Sequence, residues 1–362
     1  MPKQLSLRDL LADLVAFQTE SGQYDATAEL LSFVKYFADQ RGYHTTEYVS
    51  NDFPSLVVRS RMSEKPTVTL QAHIDVVKAR DDLYRLVADG DKLYGRGVYD
   101  MKFAVACYLK LLDELTNDSQ TYNFALMLTS DEEIGGQDGV RYVLDQDYQT
   151  DVCVLPDGGD NWEIEERAKG ACLAVVTAKG ITAHGSRPWE GDNASQKVIN
   201  AVHEMQKLDT GKPDGVTVAI TQMTADTAMN QIPETAYVSL DIRFMSMSDY
   251  EAVHAQLQKI AVQYDCEIEM PVFIEPMHTD LEHPLVKAFS DIAAKTTDQS
   301  IKSRLSLGAS DGRFFARKHI PTIIMRPIGG GAHSDNEWIS ESSLNQYYDV
   351  LKQYVQQVAA SK

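Results

Sequence analysis

Residues 67–77, TVTLQAHIDVV, constrain the fold more than any other stretch of the chain. Thr67, Val68 and Thr69 are β-branched, which suits a strand. The run ends in His73-Ile74-Asp75, two polar residues spaced to lie on one face. A strand that finishes on an imidazole and a carboxylate pointing the same way suits a metal site. One ring nitrogen binds the cation while Asp75 accepts the hydrogen bond from the other, which fixes the tautomer. Taken alone, H-x-D favours a core histidine beside a turn; the placement of the later polar clusters shifts that balance.

Those clusters fall where an α/β fold would put them. Ser6 caps a predicted helix whose apolar stripe is Leu7, Leu10, Leu11, Leu14 and Phe17. A second helix starts near Asp25, turns Leu30, Phe33, Val34 and Phe37 inward, and stops at Gly42. Strands are expected at 44–49, 55–59, 124–129 and 151–155, and helices at 102–115 and 140–144. Strands alternating with helices indicate an α/β core with a largely parallel sheet. Ligands of such sheets sit beyond the carboxyl ends of strands. His73, Asp131-Glu132-Glu133 and Asp157 all follow a predicted strand end.

The texture changes after Lys169-Gly170. Strands at 172–178, 216–221, 236–243 and 267–273 and helices at 194–207 and 248–264 give the order strand, helix, strand, strand, helix, strand. That is the split arrangement of a ferredoxin-like, two-layer α+β sandwich. Residues 170–277 are therefore expected to form a separate domain inserted into a catalytic domain made of 1–169 and 278–362. The core resumes with helices at 284–294, 308–316 and 341–358 and a strand at 322–326. A chain of 362 residues exceeds the usual size of one core, in line with two domains.

The net charge of -19 repels nucleic acid and anionic membrane surfaces. Cys107, Cys153, Cys172 and Cys266 are scattered without C-x-x-C spacing, so neither a disulfide framework nor a thiolate zinc site is indicated. The first fourteen residues carry charges through their apolar pattern, as an amphipathic helix does and a signal peptide does not. No apolar run approaches membrane-spanning length. A cytoplasmic, reduced protein is expected.

Five segments hold the chemistry: His73, Asp100 in YGRGVYDMK, Glu132-Glu133 in TSDEEIGG, Asp157 in LPDGGD and His333 in GGGAHSDNE. Two imidazoles and several carboxylates without thiolates suit one or two divalent ions such as zinc, cobalt or manganese. Glycines crowd the same segments and let loops approach a ligand closely. Asp100, Glu132, Glu133 and Asp157 in one pocket would bring about four negative charges together, and some would protonate if uncompensated. Two dications offset about four charges, with Asp100 a natural bridge across the ~3.5–4 Å typical of paired metals.

These segments, with SDGRFFA at 310–316, closely resemble the co-catalytic metallopeptidase and deacylase family, and the match runs in order over essentially the whole chain. That family includes succinyl-diaminopimelate desuccinylase, acetylornithine deacetylase, aminoacylase and glutamate carboxypeptidase. The resemblance implies a di-zinc catalytic domain with an inserted lid that often forms a dimer interface. It implies Asp100 as the bridging ligand, His73 and Asp157 on one metal, and Glu133 and His333 on the other. It further implies Glu132 as general base and Asp75 as the residue that orients His73. In GITAHGSRPWEGDNA it implies His184 as an oxyanion donor that can serve a neighbouring subunit, and it places Asn230 and Arg243 on the substrate. The expected reaction is hydrolysis of an amide in an N-acyl amino acid or short peptide bearing a free carboxylate. Glu132 takes a proton from a water shared by the metals and returns it to the departing amine.

Three departures point away from the desuccinylase reaction. Lys102 is followed by Phe103 where relatives often carry glycine, Ala309 stands where desuccinylases usually show threonine, and AHGSRP looks more like peptidases and aminoacylases. The competing expectation is a two-domain protein that closes on amino acids or peptides without chemistry. An intact Glu132 beside a full ligand set argues against it, because binding alone needs no general base.

Overall fold

The structure, a computed structural model, describes residues 5–62, 65–118, 120–225 and 227–360. The chain divides into two compact units, one of Met1–Glu166, Thr279–Arg304 and Ser310–Lys362, the other of Arg167–His278 and Leu305–Ala309.

The first unit is built on a six-stranded sheet. Its spatial order is His44–Ser50, Phe53–Arg59, Phe124–Thr129, Val68–His73, Val152–Val154 and Thr322–Ile323. The last four run parallel, and the first two form an antiparallel hairpin on one edge. Asn51 and Asp52, both at positive φ, make the hairpin turn, as a two-residue loop matched to strand twist requires. Every residue of Val68–His73 and Phe124–Thr129 is buried, so both faces of the sheet are covered.

Alternation along the strands divides the core. Leu70, Ala72, Leu126 and Leu128 face a layer that includes helices Leu7–Ala16, Tyr24–Asp39, Lys102–Glu114, Pro284–Thr297 and Glu341–Val358. Val57, Ala125, Met127 and Cys153 face Val140–Asp145 and Gly312–Arg317 on the other side. The result is a three-layer α/β architecture. Each fully buried Leu or Val side chain contributes roughly 1.5–3 kcal/mol relative to exposure, so the long apolar strands hold this layer order. Ser6 caps its helix by accepting from the Asp9 N–H, as its sequence position requires. Residues 1–4 of the expected amphipathic segment lie outside the described residues.

Two expected elements change length. The predicted helix over 308–316 begins only at Gly312, because Ser310 and Asp311 form a turn that returns hydrogen bonds to Arg313 and Phe314. The predicted strand over 322–326 pairs with the sheet only through Thr322–Ile323. Beyond Ile323, the backbone of Ile324 and Arg326 bonds instead to Gly159, Trp162 and Glu165. Periodicity also missed a small sheet of Val87–Asp89, Lys92–Tyr94, Trp338–Ser340 and Gly329–Gly330, whose strands are too short to show alternation.

The second unit carries a four-stranded antiparallel sheet in the order Thr217–Thr224, Thr235–Phe244, Gly170–Lys179 and Cys266–Ile274. Helices Ala194–Met205 and Met247–Gln263 pack on it, capped by Asn193 and Ser246. Cys172, Ala174, Val176, Val238, Leu240 and Ile242 point into the core shared with these helices. Strand order and connectivity are those of a ferredoxin-like sandwich. Among the described residues no helix is long and apolar enough to cross a membrane.

Candidate metal centre

The carboxyl ends of three adjacent parallel strands converge on one place in the first unit, where open α/β sheets present ligands. His73 ends the strand Val68–His73 and sits opposite Thr129. From Thr129 the chain passes through Ser130 and Asp131 into a tight turn at Glu132–Ile134. Asp157 follows Val152–Val154 by three residues. Asp100 lies just before helix Lys102–Glu114, across a cis peptide bond to Met101. His333, in a left-handed conformation at φ 62°, sits in the glycine-rich turn after Gly329–Gly330.

The side chains fall into two groups of three. One ligand atom each from His73, Glu132 and Asp157 lie within 4.8 Å of one another, and the same holds for Asp100, Glu133 and His333. Asp100 touches both histidines: its Oδ1 is 3.3 Å from His73 Nε2 and its Oδ2 is 3.1 Å from His333 Nε2. His333 Nε2 is also 3.1 Å from Glu133 Oε2.

The hydrogen bonds fit a cation in such a place. His73 Nδ1 stands 2.9 Å from the Asp75 carbonyl, and a carbonyl only accepts, so Nδ1 carries the hydrogen. In the neutral ring Nε2 is then a lone pair facing a carboxylate oxygen, and two acceptors at that distance need a proton or a cation between them. His73 Nδ1 faces Asp75 through both its backbone carbonyl, at 2.9 Å, and its carboxylate, whose Oδ1 stands at 3.5 Å. The carboxylate also accepts the backbone N–H groups of Glu132 and Glu133 at 3.3 and 3.1 Å, and the Ser21 hydroxyl at 3.3 Å.

Charge crowding points the same way. Burial, and then the charge on Asp100, pushes the Asp157 carboxyl up to about 7. Glu132 is raised well above its ordinary value by burial and by Asp157. Opposing the burial that would discharge them, His73 is raised by Asp100 and Asp75, and Asp100 is lowered by His333 and His73. Nitrogen and carboxylate donors without thiolates suit a hard or borderline divalent ion. The residues present therefore fit a pair of dications.

Several supporting residues escaped the sequence reading. Glu337, 2% exposed, accepts the backbone N–H groups of Gly97, Tyr99 and Asp100 and pairs with Arg96 at 2.9 Å. Its carboxylate clamps the loop that carries Asp100. Asp311 is fully buried, and neither carboxylate oxygen has a hydrogen-bond partner among the described residues. Burial, reinforced by Asp131 against the opposing Arg313, pushes it up to about 7. It packs on the Glu132 turn so closely that a Cβ on Gly136 would meet its Oδ1 at 2.0 Å, which makes glycine necessary there. Arg313 donates to the Gly135 carbonyl at 2.7 Å and steadies the same turn. Glu337 and Asp311 both lie in segments quoted above, but only the tertiary fold reveals their burial.

The remaining expected site residues lie in the second unit. His184, exposed on the short strand Ala183–His184, accepts the Ser186 N–H at its Nδ1 and meets the Ser186 hydroxyl at 2.8 Å. Arg243 is held by Asp241, with Nε at 2.6 Å and Nη2 at 2.8 Å from its two oxygens. Asn230 is exposed, and its carbonyl accepts the Gly185 N–H at 2.6 Å.

A pH dependence follows from the raised acids. Asp157 and Asp311 reach about 7, and Asp131 about 6, from an ordinary 3.8. Between these limits the folded chain holds protons that the unfolded chain has released. Their contribution to stability is thus complete below the unfolded value and lost as pH rises through the folded one. Without divalent cations the melting temperature is expected to fall as pH rises from about 5 to about 7, and saturating dication to lessen that fall by replacing the proton on Asp157, the one of the three acids among the candidate ligands. A cation-free melting temperature that rises across this window would contradict the crowding.

Residues 69–357 match the model of Peptidase family M20/M25/M40. The chain is 26% identical over 379 residues to a succinyl-diaminopimelate desuccinylase of Rickettsia bellii, covering 95% of each protein. Its fold is shared with aminopeptidase PepT from Bacillus cereus, at a TM-score of 0.85 and 18% identity over 98% of both chains. It is also shared with the YXEP protein of Bacillus subtilis, described as a dinuclear metal-binding peptidase of the M20 family. There the TM-score is 0.74 and the identity 17%, over 98% of this chain and 97% of that one. With the family match running across most of the chain, this chain belongs to Peptidase family M20/M25/M40 and is a hydrolase.

Proposed function

We propose that this hydrolase cleaves the amide bond of an N-acyl amino acid or short peptide with a free carboxylate, using two divalent cations, zinc first among them. His73 and Asp157 would hold one cation and Glu133 and His333 the other, with Asp100 shared. The observation that carries this is the placement of Asp100, one oxygen on each imidazole. Two dications bound there would supply Lewis acidity, a water of lowered pKa and a polarised carbonyl.

Glu132 is the proposed general base. With His73, Asp157 and Asp100 giving one cation three donors, its carboxylate is left to take a proton from water and return it to the departing amine. Asp75 sets that carboxylate through the backbone N–H of Glu132. His184 is proposed to donate to the oxyanion. Because its Nδ1 accepts from the Ser186 N–H, the neutral ring carries its hydrogen on Nε2, as a donor must. Arg243 has five N–H groups; Asp241 takes two, which leaves three to grip a substrate carboxylate, with Asn230 as a further contact.

The relative reported above is named a desuccinylase and the two solved structures are named an aminopeptidase and a peptidase, so substrates are framed by the bond and the carboxylate they share. A homodimer through the second unit is proposed because its edge strand Thr217–Thr224 exposes Ile220 and Met223. A cytoplasmic location is proposed from four free cysteines.

Hydrolysis of N-succinyl and N-acetyl amino acids, dipeptides and tripeptides, with and without chelator, tests the reaction. At least one carboxylate-bearing amide should be cleaved, lose its turnover to chelator and regain it with zinc, cobalt or manganese. Cleavage that survives full chelation would rule the reading out.

A further inference from the structure

Behind the candidate metal centre lies a polar cluster that none of the roles above employs. Asp160 accepts from Arg326 Nε at 2.7 Å and Nη2 at 2.6 Å, from Arg304 Nη1 at 2.9 Å, and from the Tyr99 hydroxyl at 3.1 Å. The Arg326 side chain is 11% exposed, and its guanidinium stacks 4.1 Å above the Tyr99 ring. Main-chain bonds add to this: Arg326 N–H donates to the Gly159 carbonyl at 3.1 Å, and the Arg326 carbonyl accepts the Trp162 N–H at 3.0 Å.

The cluster joins two loops that each deliver a carboxylate. Tyr99 immediately precedes Asp100, and Asp160 stands three residues beyond Asp157. The second loop is held in part by its own flank, where Glu165 accepts the Gly159 N–H at 3.1 Å and the Asp160 carbonyl accepts the Glu163 N–H at 3.2 Å. Gly158, Gly159, Asn161 and Trp162 all lie at positive φ, and for Asn161 and Trp162 that conformation persists only if the surroundings impose it. Arg326 supplies part of that surrounding, from side chain and backbone together. The Asp100 loop is fixed separately by Glu337, and the Tyr99–Asp160–Arg326 cluster ties one loop to the other.

We propose that Arg326 is a positioning residue for the cation pair, which acts through Asp160 and Tyr99 to set the spacing between the Asp157 and Asp100 carboxylates. This rests on the assignment of those carboxylates to two cations. A plain countercharge role predicts the opposite sign in experiment. A guanidinium repels a nearby dication, so removing its charge alone would tighten cation binding, whereas losing the carboxylate spacing weakens it.

Cobalt(II) titration of the full chain, followed by visible absorption and calorimetry, separates these cases. Wild type should take up two cobalt ions per chain. Arg326→Met and Arg326→Lys should both bind at least one of them about 10- to 100-fold more weakly, with an altered cobalt spectrum, as loss of a residue supporting metal ligands does. The lysine variant keeps the charge but not the planar fork, so its loss of affinity assigns the effect to geometry. Asp160→Asn preserves volume and should weaken the same ion, which decides the matter if the arginine variants fail to fold. Binding as tight as wild type, or tighter, in Arg326→Met or in Asp160→Asn would overturn the proposal, as would wild-type binding by Arg326→Lys. A wild type that takes up no pair of ions would instead overturn the function proposed above.

Discussion

Glu132→Gln lowers kcat by about 10²- to 10⁴-fold, the usual contribution of a positioned general base, while the folded chain still takes up two divalent cations. The amide has the shape of the acid but cannot accept a proton from water. Its neighbours limit collateral damage: Asp75 holds residue 132 through the backbone N–H, which the substitution leaves in place. The variant also removes one acid from a crowded set, because the charge on Asp157 is the strongest influence on Glu132 after burial. Cation uptake should therefore survive, and KM should change far less than kcat. Steady-state kinetics with metal analysis of the same sample checks both halves. Wild-type turnover would remove Glu132 from catalysis. Loss of one cation would make it a ligand instead, which its grouping with His73 and Asp157 allows geometrically.

Asp100→Asn is expected to disable both cation positions at once and to abolish hydrolysis. Asparagine keeps the volume but replaces one oxygen by an amide nitrogen, so one of the two imidazoles meets a donor where it met an acceptor. The affinity lost should exceed the about 10- to 100-fold that losing a supporting residue costs. The carboxylate also governs its neighbours' protons. After burial, its charge is the largest cause raising Asp157, and its hydrogen bond is the largest cause raising His333. In the cation-free variant Asp157 should ionise at lower pH and His333 should lose its proton at lower pH. NMR titration of the histidine ring reads the second shift directly. Retention of one tightly bound cation would show that Asp100 is not shared.

The α/β class was readable from sequence because the central strands are apolar throughout and alternate with helical stripes. Val68–His73 and Phe124–Thr129 are buried on both faces, and the stripe Leu7, Leu10, Leu11, Leu14 is buried on one. Short elements were not readable: strands of two or three residues, such as Gly329–Gly330 and Trp338–Ser340, offer no period to detect. At the candidate centre, residue type and strand-end position pointed to His73, Glu132, Glu133 and Asp157. The supporting shell could not be found that way, because its partners are distant in sequence. Glu337 reaches Arg96 across 241 residues, and Arg326 reaches Asp160 across 166. Asp75 shows a finer limit. Its adjacency to His73 was plain, but only the path of the chain decides that the carbonyl approaches the ring more closely than the carboxylate does.

The most direct test is the number of divalent cations bound per chain by the wild-type protein, determined by equilibrium titration after exhaustive chelation and set against recovery of amide hydrolysis. Two cations per chain are expected, with hydrolysis returning only as the sites fill. Hydrolysis at full rate with no cation bound, or a chain that binds none, would contradict a paired metal centre built on Asp100.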